Sequence, residues 1–328
     1  MIEEALSRSV RRWHAGASGV VAATKLSGGA SQETWSFEIV DPSGNLGAIL
    51  RRAPKGYGAS PTRAAGLAAE ARLMQLAHDA GVPSPRVLHV LTAEDDLGTG
   101  FIMARVEGET IARKILRDAA FASARPQLAR QLGRIAATIH GLPREKLPEL
   151  RRLTATAEIA ELAREYRSLD WPKPVFELAL RWLSDHDPGP PREETLVHGD
   201  FRHGNLIIGP DGVRAVLDWE LAHIGDPMED LGWICVNSWR FGEIDKPVGG
   251  FGSREDLFAG YEAAGGKVDA DRVQLYQVMG TLRWGVMCGG MMQRFRLGPD
   301  HSMERAMIGR RASETEIDLL RLLASRGN

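Results

Sequence analysis

Asp200, Asn205 and Asp218 are the residues of this chain whose types and spacing point most directly to chemistry. They stand in His198-Gly-Asp-Phe-Arg-His-Gly-Asn205 and, one apolar run later, in Val216-Leu-Asp-Trp-Glu220. An Asp, an Asn five positions on and a second Asp closing an apolar run make an arrangement suited to phosphoryl transfer. Asp200 is placed to accept a proton from a hydroxyl, while Asn205 and Asp218 offer the hard oxygen ligands that Mg²⁺ takes. Pro210-Asp-Gly212 is turn chemistry between two apolar runs and predicts a hairpin. A hairpin folds back on itself, so it returns Asp218 to the neighbourhood of Asn205. A His-x-Asp triplet alone would carry little weight, and it is the complete pattern that argues for a site.

The segments HGDFRHGN and AVLDWELAHIGDPMEDLGW resemble the aminoglycoside phosphotransferase family, a relative of choline kinases and more distantly of protein kinases. The likeness extends over nearly the whole chain. It implies an α+β, two-lobe protein-kinase-like fold: a small antiparallel-sheet N-lobe over residues 1–106 that covers the nucleotide, and a mostly helical C-lobe over 107–328 with the catalytic loop and substrate site. It implies ATP as co-substrate, Mg²⁺ as cofactor and a hydroxyl-bearing small molecule as acceptor. Two rivals stand beside this reading. One is a nucleotide-binding regulator without transfer activity, and the other is a metal-dependent hydrolase using Asp200 and His203, for which no further ligand cluster is spaced suitably.

The chain has 328 residues, 43% of them hydrophobic, which is ample for a core and suggests two lobes or domains. With 41 basic and 43 acidic residues the net charge is −2, which makes no electrostatic case for nucleic acid or for an anionic membrane. Cys235 and Cys288 read as buried apolar thiols, which fits a reducing cytoplasm. The first residues carry acids before any apolar run, unlike a signal peptide, and no stretch reaches transmembrane length without charges.

Apolar periodicity predicts helices over residues 1–15, 62–80, 110–117, 127–141, 155–169, 174–186, 253–264, 271–293 and 302–325. Gly47-Ala-Ile-Leu-Arg-Arg-Ala-Pro54 predicts a strand. Alternation puts Arg51 with Ile49 and away from Leu50 and Arg52, so only one of the two arginines points inward. Glu70 falls in the apolar stripe of its helix, where an unpaired carboxylate is costly, and Arg51 is its natural partner. Asp226 before Pro227 predicts a helix N-cap, and residues 239–252 form a long Gly- and aromatic-rich loop, a candidate lid. Trp284, Met287, Met291 and Met292 form a stripe suited either to a core or to an apolar pocket. His140 reads as structural.

The resemblance assigns further roles. Gly28, Gly29 and Ser31 correspond to the nucleotide-covering loop, although a glycine pair alone fits an ordinary hairpin turn equally well. Arg51 takes the position of the strand cation that grips the phosphates, where most kinases have Lys, and Glu70 that of the helix glutamate. Met103 would close the back of the adenine slot, with the backbones of Ala104 and Val106 on the adenine edge. Asp230 would hold the catalytic loop from below. Arg202, two positions after Asp200, either reaches the transferring phosphate or bonds a nearby carboxylate such as Glu220 or Asp226. Arg51-Arg-Ala-Pro and Trp239-Arg-Phe-Gly are similar to a subgroup that includes kinase-like domains fused to acyl-CoA dehydrogenases. That likeness implies a hydroxylated metabolite or an acyl derivative as acceptor. Residues 239–311 hold nine acids and eleven Lys or Arg, a balance ill-suited to a polycationic aminoglycoside.

Overall fold

A computed structural model of the chain describes residues 2–26, 32–53, 64–298 and 301–324. Gly28, Gly29 and Ser31, and the start expected for the second helix, lie outside the described residues.

The N-terminal part is a five-stranded sheet of order β1-β2-β3-β5-β4, antiparallel at every pairing. Its strands are β1 (Gly19–Leu26), β2 (Glu33–Val40), β3 (Leu46–Ala53), β4 (Val87–Val90) and β5 (Thr99–Ala104). Helix α1 (Ile2–Trp13) buries Leu6 and Val10 against Phe37, Ile39, Ala48, Leu50 and Ile102, which closes one face of the sheet. Helix α2 (Leu67–Asp79) packs on the other face, and its Leu73, Met74 and Ala77 belong to the core of the helical part. This two-sided arrangement follows from strand alternation: Ala48 and Leu50 point to α1, so Ile49 and Arg51 must point to α2.

Beyond β5 the chain is mainly helical: α3 (Ala112–Arg117), α4 (Arg125–His140), α5 (Ala155–Ser168) and α6 (Pro174–Asp185). Then come the short strands β6 (Thr195–Val197), β7 (Leu206–Gly209), β8 (Gly212–Val216) and β9 (His223–Gly225), which pair as β6–β9 and β7–β8. The chain ends in α7 (Met228–Trp233), α8 (Arg254–Ala263), α9 (Ala270–Leu297), α10 (Met303–Gly309) and α11 (Ala312–Ala324). The single helix expected over 302–325 is thus two. Both pieces pack on α9, and the break at Arg310–Arg311 lets the chain bend round it where a straight helix would leave it. Asp226 caps one residue further upstream than expected: its Oδ1 accepts from Met228 N at 3.0 Å, with Pro227 between them.

Among the described residues no helix is long and apolar enough to cross a membrane.

Candidate active site

The β7–β8 hairpin brings the distant carboxylates together. Its pairs run from Leu206–Val216 to Gly209–Gly212, and Leu217 N donates to Asn205 O at 2.8 Å, so Asp218 emerges beside Asn205. Glu109 bonds both backbone groups of Ile208, which ties the chain leaving the sheet to this hairpin.

The loop carrying Asp200 is held from beneath. Asp230 in α7 is fully buried, and its oxygens accept from His198 N at 2.8 Å and from Gly199 N at 3.0 Å. His140 Nε2 stands 3.0 Å from the same carboxylate and its Nδ1 2.8 Å from Tyr261 OH. Burial alone would raise the Asp230 pKa, but the bond from His140 and the nearby histidines hold it below the usual carboxylate value. Gly199 has φ +79°, and a Cβ there would lie 2.5 Å from Leu221 O, so both backbone and space call for glycine. His198 is pushed down in pKa by burial, against the pull of Asp230, Asp200 and Asp218. It is neutral: Nδ1 accepts from Asp200 N at 3.3 Å and Nε2–H donates to Leu217 O at 3.1 Å. This imidazole therefore links the backbone at Asp200 to the residue before Asp218. Asp218 itself sits in the left-handed region, φ 67° and ψ 63°, which short polar side chains tolerate best after glycine.

Asp200 is surrounded by donors. Arg202 Nε reaches Oδ1 at 2.9 Å, Trp233 Nε1 reaches Oδ1 at 2.8 Å, and Asn205 Nδ2 reaches Oδ2 at 2.6 Å. With its amide nitrogen turned to Asp200, Asn205 presents its amide oxygen as a group that could hold a cation. Arg202 thus pairs with Asp200 itself, not with Glu220 or Asp226, and its guanidinium lies 4.9 Å above the Trp239 ring.

Arg51 joins the two lobes. Its NH2 donates to Asp218 Oδ1 at 2.8 Å and to Glu220 Oε2 at 3.0 Å, and its Nε donates to Gln32 at 3.1 Å. Glu70 Oε2 stands 3.3 Å from Arg51 Nε but makes no hydrogen bond, so the two side chains meet by proximity only. Burial would lower the Arg51 pKa, yet Glu70, Asp218 and Glu220 together hold it above its ordinary value. Glu70 moves the other way. Burial pushes it up to about 8, against Arg51, whose charge Asp218 and Glu220 share and whose effect their repulsion offsets. Arg51 is therefore firmly charged while Glu70 carries a proton at neutral pH. Arg52 points to the opposite side and bonds Glu33 and the Leu97 carbonyl.

Met103 and Ala104 end β5, with Val106 two residues beyond. Ala104 N–H donates to Arg86 O at 2.9 Å, so that donor is spent inside the sheet and its carbonyl is the group left to meet a ligand. His203 is fully buried, bonded to Gly249 O at 2.8 Å and lowered to about pKa 4 by burial, and among the described residues no group of three or more His, Cys, Asp or Glu gathers that could hold the metal of a hydrolase. The segment 239–252 is a packed wall more than a lid: Trp239, Val248 and Phe251 are buried, and Arg240 bonds the carbonyls of Cys235 and Ile244. Trp284 packs on Trp239 with ring centroids 5.0 Å apart, whereas Met287 is 42% exposed.

Sequence reasoning missed Trp233, Glu220 as an Arg51 partner, and Gln32. Trp233 lies in a buried helix where a tryptophan reads as core, and no local signal marks its N–H as a partner of Asp200.

An antiparallel sheet and a helical part, meeting at a loop with two acids and an amide, define a kinase-like phosphotransferase fold. Residues 22–266 match the phosphotransferase enzyme family, and the chain belongs to it; within that family it resembles the aminoglycoside phosphotransferases. Mouse acyl-CoA dehydrogenase family member 10 is 26% identical over 86% of this chain, and the match spans 27% of that protein. The chain thus spans about a quarter of the length of that curated relative. Among solved structures, a putative aminoglycoside phosphotransferase from Ralstonia eutropha aligns over 98% of both chains with 21% identity and a TM-score of 0.75. A thermostable mutant of an aminoglycoside phosphotransferase, in ternary complex with AMP-PNP and hygromycin B, aligns over 97% of this chain and 98% of its own, with 18% identity and a TM-score of 0.61.

Proposed function

We propose that this chain moves the γ-phosphate of ATP to a hydroxyl of a small molecule, with Mg²⁺ as cofactor. The observation that carries the reading is the convergence of Asp200, Asn205 and Asp218, with Arg51 bonded to Asp218. The donor set fits a hard divalent cation. The Asn205 amide oxygen and the Asp218 carboxylate are oxygen ligands, and Mg²⁺ ordinarily takes one or two protein ligands with phosphates and water. Asp218 Oδ1 already partners a cationic group, the Arg51 guanidinium. When bound, the ion neutralises charge on the phosphate oxygens.

The chain's own residues do the rest. Asp200 orients the acceptor hydroxyl and takes its proton. Arg51 is charged and grips phosphate oxygens, and Glu70 supports it without competing for its hydrogen bonds. Arg202 holds Asp200 and keeps further N–H groups for the transferring phosphate. Gly28, Gly29 and Ser31 cover the phosphates, while Met103, the Ala104 carbonyl and Val106 line the adenine slot. Residues 1–106 serve the nucleotide and 107–328 the acceptor. A cytoplasmic setting goes with this reading, since Cys235 and Cys288 are buried free thiols.

For the acceptor, the wall beside Asp200 is aromatic, and its arginines are each paired with a carboxylate. Arg202, Arg283 and Arg311 lie over the rings of Trp239, Trp233 and Trp284. The proposed acceptor is a hydroxylated metabolite or acyl derivative, and the name of the mouse relative supports including acyl compounds. One observation favours a nucleotide-binding regulator without transfer: Arg replaces the usual Lys, and its guanidinium engages the metal-side Asp218 directly. Single-turnover ATP consumption against aminoglycosides, sugars, hydroxy acids and hydroxyacyl thioesters separates the readings. Transfer to one class, lost on the order of 10²–10⁴-fold in Asp200→Ala with ATP affinity kept, supports the kinase. Tight ATP binding with no consumption for any class supports the regulator.

A further inference from the structure

Trp233 ends the same helical turn that holds the catalytic loop from beneath. Asp230 accepts from the backbone of His198 and Gly199, and three residues later Trp233 Nε1 donates to Asp200 Oδ1 at 2.8 Å. Helix α7 thus grips the main chain of the loop and also its reacting side chain. Arg202 donates to the same oxygen at 2.9 Å. A carboxylate oxygen has about two lone-pair positions, so Oδ1 is filled, and only Oδ2 has room for an acceptor hydroxyl beside Asn205.

The indole cannot swing away. It is 4% exposed, and a Cβ on Gly280 would lie 2.7 Å from its Cε3, so that glycine of α9 is a flat seat made for the ring. The Arg283 guanidinium stands 5.3 Å from the ring centroid and is itself paired with Glu158 and Glu229. The Trp239 ring meets it at 5.1 Å and 64°. A tryptophan serving only as core needs neither this N–H acceptor nor a charged residue over its face.

We infer that Trp233 is a positioning residue for phosphoryl transfer: its N–H clamps Oδ1 of Asp200, so that Oδ2 alone faces the acceptor. An Asp side chain otherwise turns broadly about its last torsion, which would offer either oxygen. The inference rests on the reading of Asp200 as the acceptor-side base.

The test uses Trp233→Phe, which keeps a ring between Gly280 and Arg283 and removes the N–H. The probe is MgATP with water in place of the alcohol. The expected result is a kcat lower on the order of 10-fold with KM for ATP unchanged, and no further loss when the change is added to Asp200→Ala. In ¹H–¹⁵N spectra without ligand, the indole signal missing from Trp233→Phe is expected to move in Asp200→Ala. Gly280→Ala, which displaces the indole but keeps its N–H, is expected to lower kcat as well. Wild-type kcat in Trp233→Phe beside an inactive Asp200→Ala overturns the inference and leaves the base assignment intact. An indole signal unmoved in Asp200→Ala overturns it too, whatever the folding of the Trp233 variant. Full turnover in Asp200→Ala would remove the base assignment, and the inference with it.

Discussion

Glu70→Gln isolates the electrostatics of the inter-lobe cluster. Glu70 is 1% exposed, close to the carboxylates of Asp218 and Glu220, and raised from 4.5 to about 8. A carboxyl raised on folding contributes stability that is fully present below its unfolded value and is lost as pH rises through its folded value. For wild type that window runs from about pH 4.5 to about pH 8. At about 1.4 kcal/mol per pH unit, the interval sets a ceiling of about 5 kcal/mol, and relaxation of a buried site lowers it to roughly 2–5 kcal/mol. Gln mimics the protonated acid and removes the titration. With an unfolding entropy of about 2.1 cal/mol/K per residue, the expected gain in Tm for Glu70→Gln over wild type is about 3–7 °C above pH 8. Below pH 5 the two proteins should melt together. Thermal unfolding followed by circular dichroism at half-unit steps from pH 4.5 to 9 reads this directly. If an ionised Glu70–Arg51 pair stabilised the fold, Glu70→Gln would be the less stable protein throughout the neutral range. A Tm difference of that sign, or one independent of pH, refutes the reasoning.

Three other outcomes are expected. Arg51→Ala should weaken ATP binding by calorimetry, and Arg52→Ala should not, because Arg52 is committed to Glu33 on the other side of the strand; equal effects would contradict the register of β3. Asp218→Ala should abolish the Mg²⁺ dependence of nucleotide binding, and titrations with and without the ion that still differ would remove Asp218 from the metal site. Asp230→Ala leaves two buried backbone N–H groups and His140 without their acceptor. It should lower stability by about 2–5 kcal/mol in denaturant unfolding, with turnover falling alongside; a loss under 1 kcal/mol would mean that the loop holds its shape unaided.

Much of this architecture was legible in local pattern. The period of two in β3 separated Arg51 from Arg52, because a strand sends neighbouring side chains to opposite faces whatever surrounds it. The Pro210-Asp-Gly212 turn between apolar runs announced the hairpin that joins Asn205 to Asp218. Helix periodicity located α4 to within two residues at its start and at its glycine stop. Such features depend on residues close in sequence, and the chain carries them before it folds.

Long-range partnership and burial belong to the tertiary structure alone. That Arg202 turns to Asp200 follows from the tight loop and the Trp239 face above it, and nothing local distinguishes this from a bond to Glu220 or Asp226. The shape of Glu70's role reversed for a similar reason: its sequence position calls for a charged partner, but the fold gathers Asp218 and Glu220 round the same guanidinium, and that crowding with burial protonates it. The break between α10 and α11 came from packing around α9, which overrode a pattern compatible with one helix. Trp233 reads as core in any window of its own helix. Only the close approach of α7 to the catalytic loop and to Gly280 turns its N–H toward Asp200, because a hydrogen bond depends on where two groups meet in space and not on how far apart they stand in the chain.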